Sequence, residues 1–332
     1  MSASYGLYAH IRANRTRSTI LIGGLFVLIY LLVFAFTLAF NGFVMGGEEL
    51  GTIINETVTQ FFYLLPWSTL GGALWVLIGY KFNQRMIDMS TGAKDVTREG
   101  EPRIYNLLEN LCISRGITTP RLQVIETDVL NAYASGMNDK QYRIAVTRGL
   151  LNTLDDAELE AVLAHELTHI RNGDVRLMVI AVVIAGIITL AGEMVFRSLR
   201  YSSFRSGSSS SGGKKGGGAI AILIAVIIIA VAWFLSLVIR FALSRSREYL
   251  ADAGAVELTK NPDAMISALR KIEGKSEMPA VPSGIMEMCI DNQKNSIADL
   301  FSTHPSVQRR VQKLVSVAGG QETIAAPTTP ST

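Results

Sequence analysis

Cysteine, histidine and charge are all scarce in this sequence. The two cysteines, Cys112 and Cys289, have no partner at metal-pair spacing, which excludes a cysteine metal module and a disulfide framework. A reducing, cytosolic face for both is the economical reading, with a single bridge between them as the alternative. Charged residues make up only 18% of the 332, below the roughly one quarter of a soluble domain, and a net charge of +3 is too small to point to nucleic acid. The sequence shows no internal repeat. What it has in excess is apolar: 49% of residues are hydrophobic and the mean hydropathy is +0.31. That excess is gathered into long runs with basic residues beside them, the pattern of a membrane protein and not of an oversized core.

Residues 1–17 hold Arg12, Arg15 and Arg17 and no acid. The apolar run at 20–40 is about long enough for a ~30 Å hydrocarbon core and too long for a signal-peptide core, so an uncleaved anchor is expected. A second run, 61–80, ends at Lys81 with Arg85 just beyond; the connection 41–60 carries Glu48, Glu49 and Glu56 and no Lys or Arg. These flanks place the amino terminus and the chain after Lys81 in the cytoplasm. Pro66, Gly71 and Gly72 in the second run suggest ordinary tolerance of such residues, a kink or a close helix approach. A third run, about 177–196, is less secure, because only sixteen uncharged residues separate Arg176 from Glu193. A Ser/Gly-rich loop with five basic residues leads to a fourth run at about 218–239. Glu193, at the edge of an apolar run, reads as an interface residue before a functional one. The chain thus divides into a membrane anchor (1–82), a soluble part (83–174), a second pair of apolar segments (175–240), a second soluble part (241–317) and a Gly/Pro/Thr-rich tail (318–332) expected to be disordered.

Within the soluble parts, helical spacing covers 101–115 and stops at Gly116; 121–125, 131–136 and 142–147 read as strands. Helices are expected at 244–258, 263–273 and 306–317, with a loop over 274–295.

The most informative stretch is Val162–Asn172. No Pro or Gly interrupts 155–172, Asp155 caps a helix start, and Leu159, Leu163, Leu167 and Ile170 form one apolar face. His165 and His169, two of only four histidines, are then one helical turn apart on the same side. Two ring nitrogens so placed can reach one metal ion at about 2.0–2.1 Å. Glu166 sits roughly 100° round the helix, where a carboxylate can take a proton from a water at the metal's open position. A catalytic zinc needs a third protein ligand, and Glu248 is the best candidate, 79 positions after His169 on an expected helix. Asp252, one turn further, can accept the second ring N–H of a liganding histidine. The competing reading makes Arg245, Arg247 and Glu248 a charged face near the membrane.

Four ordered motifs, Asn131–Gly136, His165–Asp174, Glu248–Asp252 and Phe301–Pro305, resemble those of the HtpX-type membrane zinc metalloproteases, relatives of the CAAX prenyl proteases. The resemblance spans roughly 15–315. It implies an α+β integral membrane protein, mainly α-helical with a small β-sheet, a gluzincin metalloprotease domain joined to about four transmembrane helices. It implies one zinc per chain on His165, His169 and Glu248, with Glu166 as base. It also implies that His304 and Arg310 lie near the oxyanion and that Asn131 and Ala132 belong to an edge strand gripping substrate backbone. Ser306 stands where the family commonly has a second proline, and the Ser/Gly-rich loop is not a family hallmark.

The expected activity is zinc-dependent endopeptidase cleavage of membrane or misfolded proteins at the cytosolic face of the cell's inner membrane. Both termini lie on that side; no nucleic acid is involved, and the oligomeric state is left open. Ligands on either side of the third and fourth runs must share a compartment, so those runs form a crossing hairpin or neither crosses; the fourth run favours the hairpin. Two alternatives are a CAAX-type prenyl-protein protease, ranked lower because so few spans enclose no chamber, and a catalytically silent scaffold or chaperone, which has no need of Glu166.

Overall fold

The computed structural model describes residues 2–180, 186, 217–242, 246–278, 281, 283–286, 288–290 and 305–321. Its contacts divide the chain into two units, one of residues 16–81 and 180–242, the other of residues 1–15, 82–179 and 243–332.

The apolar unit is built on α1 (Ser2–Val44) and α2 (Leu50–Thr91), which run in opposite directions across the turn at 45–49. Both helices outrun their apolar cores, so the connection expected at 41–60 shrinks to that turn and Glu56 lies inside α2. Pro66 does not break α2. Gly72 marks a close approach: a Cβ there would lie 2.9 Å from Ile29 and 3.0 Å from Phe26 of α1. Polar groups in this packing are matched, as an apolar surrounding demands: the Asn41 amide donates to Thr57 (3.1 Å) and Gln60 (3.0 Å), and Tyr30 bonds Thr69 at 2.9 Å.

Helix α6 (Gly217–Ala242) joins them with a defined direction. The Gly217 N–H donates to the Glu48 carbonyl (3.0 Å), and Ala221 and Ala225 pack with Ala35, Leu38 and Ile53. Its amino end therefore sits at the 45–49 turn and it runs parallel to α2. By length and apolarity, Ser18–Val44, Leu50–Thr91 and Gly217–Leu235 can each cross a membrane. Apart from 177–180 and 186, the third expected segment lies outside the described residues, as do Glu193 and the Ser/Gly-rich loop.

The second unit holds a four-stranded sheet of β1 (Lys94–Asp95), β2 (Arg121–Ile125), β3 (Ala132–Ser135) and β4 (Arg143–Thr147), in the order β1-β2-β4-β3. β2 and β4 are parallel; β1 and β3 are antiparallel to their neighbours. The two-residue β1 and the short helix α4 (Arg148–Thr153) carry too little pattern to be expected from sequence. α3 (Pro102–Arg115) ends at Gly116 in the left-handed conformation, as the Gly stop predicted.

The motif helix, α5 (Asp156–Asn172), begins with a capping box: Asp155 accepts from the Glu158 N–H, and Glu158 accepts from that of Asp155, each at 2.9 Å. Buried on almost every side, α5 packs chiefly against α7 (Ser246–Thr259), then α8 (Pro262–Ile272) and α3. A helix surrounded in this way can hold polar side chains only where they have partners or a task. After α8, the expected loop contains helix α9 (Ser283–Met286) and the segment Met288–Ile290, and α10 (Val307–Ala318) follows. The tail was expected to be disordered from 318, but residues 318–321 are ordered: the Gln321 N–H donates to Asp263 (2.6 Å). Residues 322–332 lie outside the described residues. Cys112 and Cys289 are both buried and not disulfide-bonded, so the bridge considered above does not form.

Candidate metal centre

Helices α5 and α7 meet at a group of buried donors. The Nε2 atoms of His165 and His169 lie 3.2 Å apart; Glu248 brings Oε2 to 3.6 Å from the first and Oε1 to 3.7 Å from the second. Among the described residues, His165, His169 and Glu248 are the group placed to share one ion. A tetrahedral ion with 2.0–2.1 Å bonds spaces its ligand atoms about 3.3–3.4 Å apart, so the triangle fits with only small adjustment. Two imidazoles and a carboxylate also match the donor set of zinc sites that keep a fourth position open.

Each imidazole is held from behind. His165 Nδ1 lies 3.0 Å from Asp252 Oδ1, and His169 Nδ1 lies 3.0 Å from Asp174 Oδ2. Each carboxylate accepts the Nδ1–H, which turns both Nε2 atoms toward the shared position. Asp174 was not singled out from sequence. Gly173 ends α5 at φ +73°, turning the chain so that the next residue reaches back to His169. The signal was a helix-stopping Gly followed at once by a carboxylate, five positions beyond a histidine.

Glu166 is 1% exposed, and neither carboxylate oxygen has a hydrogen-bond partner among the described residues. Burial pushes its carboxyl pKa up, against the opposing pull of His165 and His169. A buried carboxylate without partners is costly unless a ligand completes it, so both oxygens suit a proton-accepting role. For His169, burial alone would lower the pKa, but the Glu248 and Asp174 carboxylates outweigh it and push it up to about 10 in the metal-free chain. Burial would raise the Asp252 carboxyl, and the Arg310 guanidinium outweighs that and holds it below the usual carboxylate range.

Arg310 is 1% exposed and grips Asp252 with two bonds, Nε to Oδ2 (2.9 Å) and Nη2 to Oδ1 (2.6 Å). Nη1 donates to the Ile290 carbonyl at 2.6 Å. In this arrangement Arg310 positions His165 through Asp252. His304 lies outside the described residues.

Asn131 and Ala132 stand at the outer edge of the sheet, fully buried. The Asn131 amide donates to the Ser276 carbonyl (2.8 Å) and its Oδ1 accepts the Ala132 N–H (2.9 Å). The Ala132 carbonyl accepts the Ile290 N–H at 2.9 Å, and Tyr133 pairs antiparallel with Cys289. The edge expected to hold a substrate backbone therefore carries the chain's own residues 288–290.

The chain is similar to known proteins over most of its length. Residues 99–318 match the model of peptidase family M48. The chain is 38% identical over 317 residues to a protease HtpX homolog of Bacteroides fragilis strain YCH46, covering 92% of this chain and 98% of that one. It is 34% identical over 317 residues to a protease HtpX homolog of Listeria monocytogenes serotype 4a strain HCC23, covering 93% and 99%. The crystal structure of S. mikatae Ste24p aligns with a TM-score of 0.47 and 19% identity, over 93% of this chain and 67% of that one.

Proposed function

Because the chain belongs to peptidase family M48 and is a membrane metalloprotease of the HtpX type, we propose that it is a zinc endopeptidase cleaving membrane-anchored or misfolded proteins on the cytoplasmic side of the inner membrane. The observation that carries this reading is the pairing of a closed donor triangle with a partnerless buried carboxylate one residue from its first ligand.

His165, His169 and Glu248 would hold the ion. Bound there, zinc would supply Lewis acidity, lowering the pKa of a water toward ~7 and polarising the scissile carbonyl. Glu166 takes the proton of the attacking water on a carboxylate oxygen and returns it to the leaving amine nitrogen. Its raised pKa favours this second step, since a carboxyl that holds its proton more firmly is a competent acid near neutral pH. Asp252 and Asp174 keep the imidazoles in one tautomer throughout, and Arg310 keeps Asp252 in place.

The direction of α6 supports a chain that crosses the membrane four times. α6 starts at the end of its unit where α1 turns into α2 and runs parallel to α2, as the returning arm of a crossing hairpin would. Lys81 and Arg85 at the other end of the α2 apolar run, set against the acidic Glu48 and Glu49 of the turn, favour the cytoplasm for the metal centre. Labelling of a Ser209→Cys chain in intact cells tests this placement: reaction from outside is expected, and protection until lysis would refute it.

The activity itself is tested with the full chain in detergent, loaded with one zinc equivalent and given casein. Cleavage by the native chain and none by Glu166→Gln is expected. Equal cleavage by both would remove the enzymatic reading, and a membrane protein trapped by Glu166→Gln in cells would name the substrate class.

A further inference from the structure

The outer edge of β3 is a row of main-chain groups facing away from β4, and edge strands of this kind are sites for adding a strand. Alternation along β3 turns the N–H and C=O of Ala132 outward, since those of Tyr133 point toward Ala145 in β4. Both outward groups of Ala132 are already engaged, the N–H by the Asn131 side chain and the carbonyl by Ile290. Residues 288–290 are an antiparallel strap centred on the Tyr133–Cys289 pair, and Met288, Cys289 and Ile290 are each 3% exposed or less.

The strap is also tied to the metal centre. Ile290 uses its N–H on the β3 edge and its carbonyl on Nη1 of Arg310, whose other nitrogens hold Asp252 and, through it, His165. One residue therefore joins the strand edge to a metal ligand's support. A polypeptide pairing with β3 at Ala132 competes for the carbonyl that Ile290 occupies.

We propose that Met288–Ile290 is a built-in occupant of the substrate-strand slot, which an incoming extended segment displaces. The proposal rests on the endopeptidase reading above. Displacement strips three buried apolar side chains from the edge, so a segment that brings apolar side chains of its own replaces the lost burial and a polar one does not. The slot thus selects exposed apolar stretches, as unfolded and membrane-derived chains present. Leaving, the strap takes its carbonyl from Nη1 of Arg310 and frees that N–H as a substrate comes into place.

A reversible lock tests this. The Tyr133–Cys289 pair is flanked by the Ile290–Ala132 bond, which makes it a non-hydrogen-bonded pair, with Cα atoms about 4.5 Å apart. That separation is within the ~4.4–6.8 Å range of disulfides, so Tyr133→Cys can bond native Cys289. The full chain, zinc-loaded in detergent and carrying Glu166→Gln to spare the probe, is titrated into fluorescein-labelled casein peptides and followed by anisotropy. Oxidation is expected to weaken binding at least tenfold and dithiothreitol to restore it, the reduced form serving as the folding control. Equal or tighter binding when oxidised overturns the proposal, as does absence of binding in both states and in the native chain. Ile290→Pro removes the N–H given to Ala132 and should tighten binding several-fold; unchanged or weaker binding counts against the strap. If peptides bind under redox control but the same chain with Glu166 restored never cleaves them, the strap stands and the endopeptidase reading falls.

Discussion

Gly254 decides how closely the two ligand-bearing helices can approach. It lies on α7, two residues past Asp252 and six past Glu248, and faces Thr168 of α5, the neighbour of His169. A Cβ at 254 would lie 2.4 Å from Thr168 Cγ2 and 2.7 Å from Oγ1. Carbon atoms rest at about 3.5–4.0 Å, so Gly254→Ala falls short of a normal contact by roughly 1 Å. Thr168 cannot swing away freely, because its hydroxyl donates to the Ala164 carbonyl at 2.8 Å and β-branched side chains are stiff. The helices must part, and Glu248 and Asp252 leave together. A shift of ~1 Å is several times the ±0.2 Å tolerance of a good zinc site. Zinc affinity is expected to drop on the order of 10–100-fold, as for other losses of ligand support. The stability change is smaller, because about 1–3 kcal/mol of overpacking is offset by about 1 kcal/mol of helix propensity gained by Ala over Gly. Thr168→Ala in the same chain removes both nearest atoms, leaving the position-168 Cβ at 3.1 Å, and should recover most of the affinity. Competition with a chromophoric chelator, alongside thermal unfolding with and without zinc, measures both terms. Gly254→Ala with affinity within twofold of native, or a double variant no better than the single, would refute the close-approach argument.

Further outcomes follow from the same centre. Glu166→Gln should lower kcat by about 10²–10⁴-fold while zinc stoichiometry stays at one; loss of the metal would instead make Glu166 a ligand. Asp174→Asn should weaken zinc on the order of 10–100-fold, against no change for the exposed surface control Asp139→Asn; equal affinities would deny Asp174 a role behind His169. In the metal-free chain the His169 pKa stands at about 10, above the ordinary imidazole value. Its contribution to stability is therefore fully present below about 6.5 and lost as pH rises through about 10. Zinc must displace that proton, so at pH 8 calorimetry in buffers of different ionisation heat should show about one proton released per zinc from this site. No release would contradict the charge balance described for His169.

What could be read from the sequence was local. The capped start of α5, the one-turn spacing of its imidazoles, the three longer strands and the Gly116 stop all depend on neighbours within a few residues. Glu248 and Asp252 were accessible because their four-residue spacing repeats the logic of the histidine pair. The remainder depends on distance. Arg310 meets Asp252 across 58 residues, and Gly254 matters only because Thr168, far away in the chain, lies against it. Asn131 looked like a gripping residue on motif alone, and its amide is spent on Ser276, 145 residues on. The strap could not be read at all, since three apolar residues in a Pro-rich loop have no periodicity from which to infer a partner strand.

The donors that would hold the ion come from two stretches of chain separated by everything from Gly173 to Arg247, including the third and fourth apolar segments. During synthesis, a ribosome-held fragment that ends short of Glu248 has two imidazoles and nothing to close the cage. The hydrolytic centre is thus completed only after the last hydrophobic segment has left the ribosome, so a half-made copy carries no active peptidase into the insertion machinery.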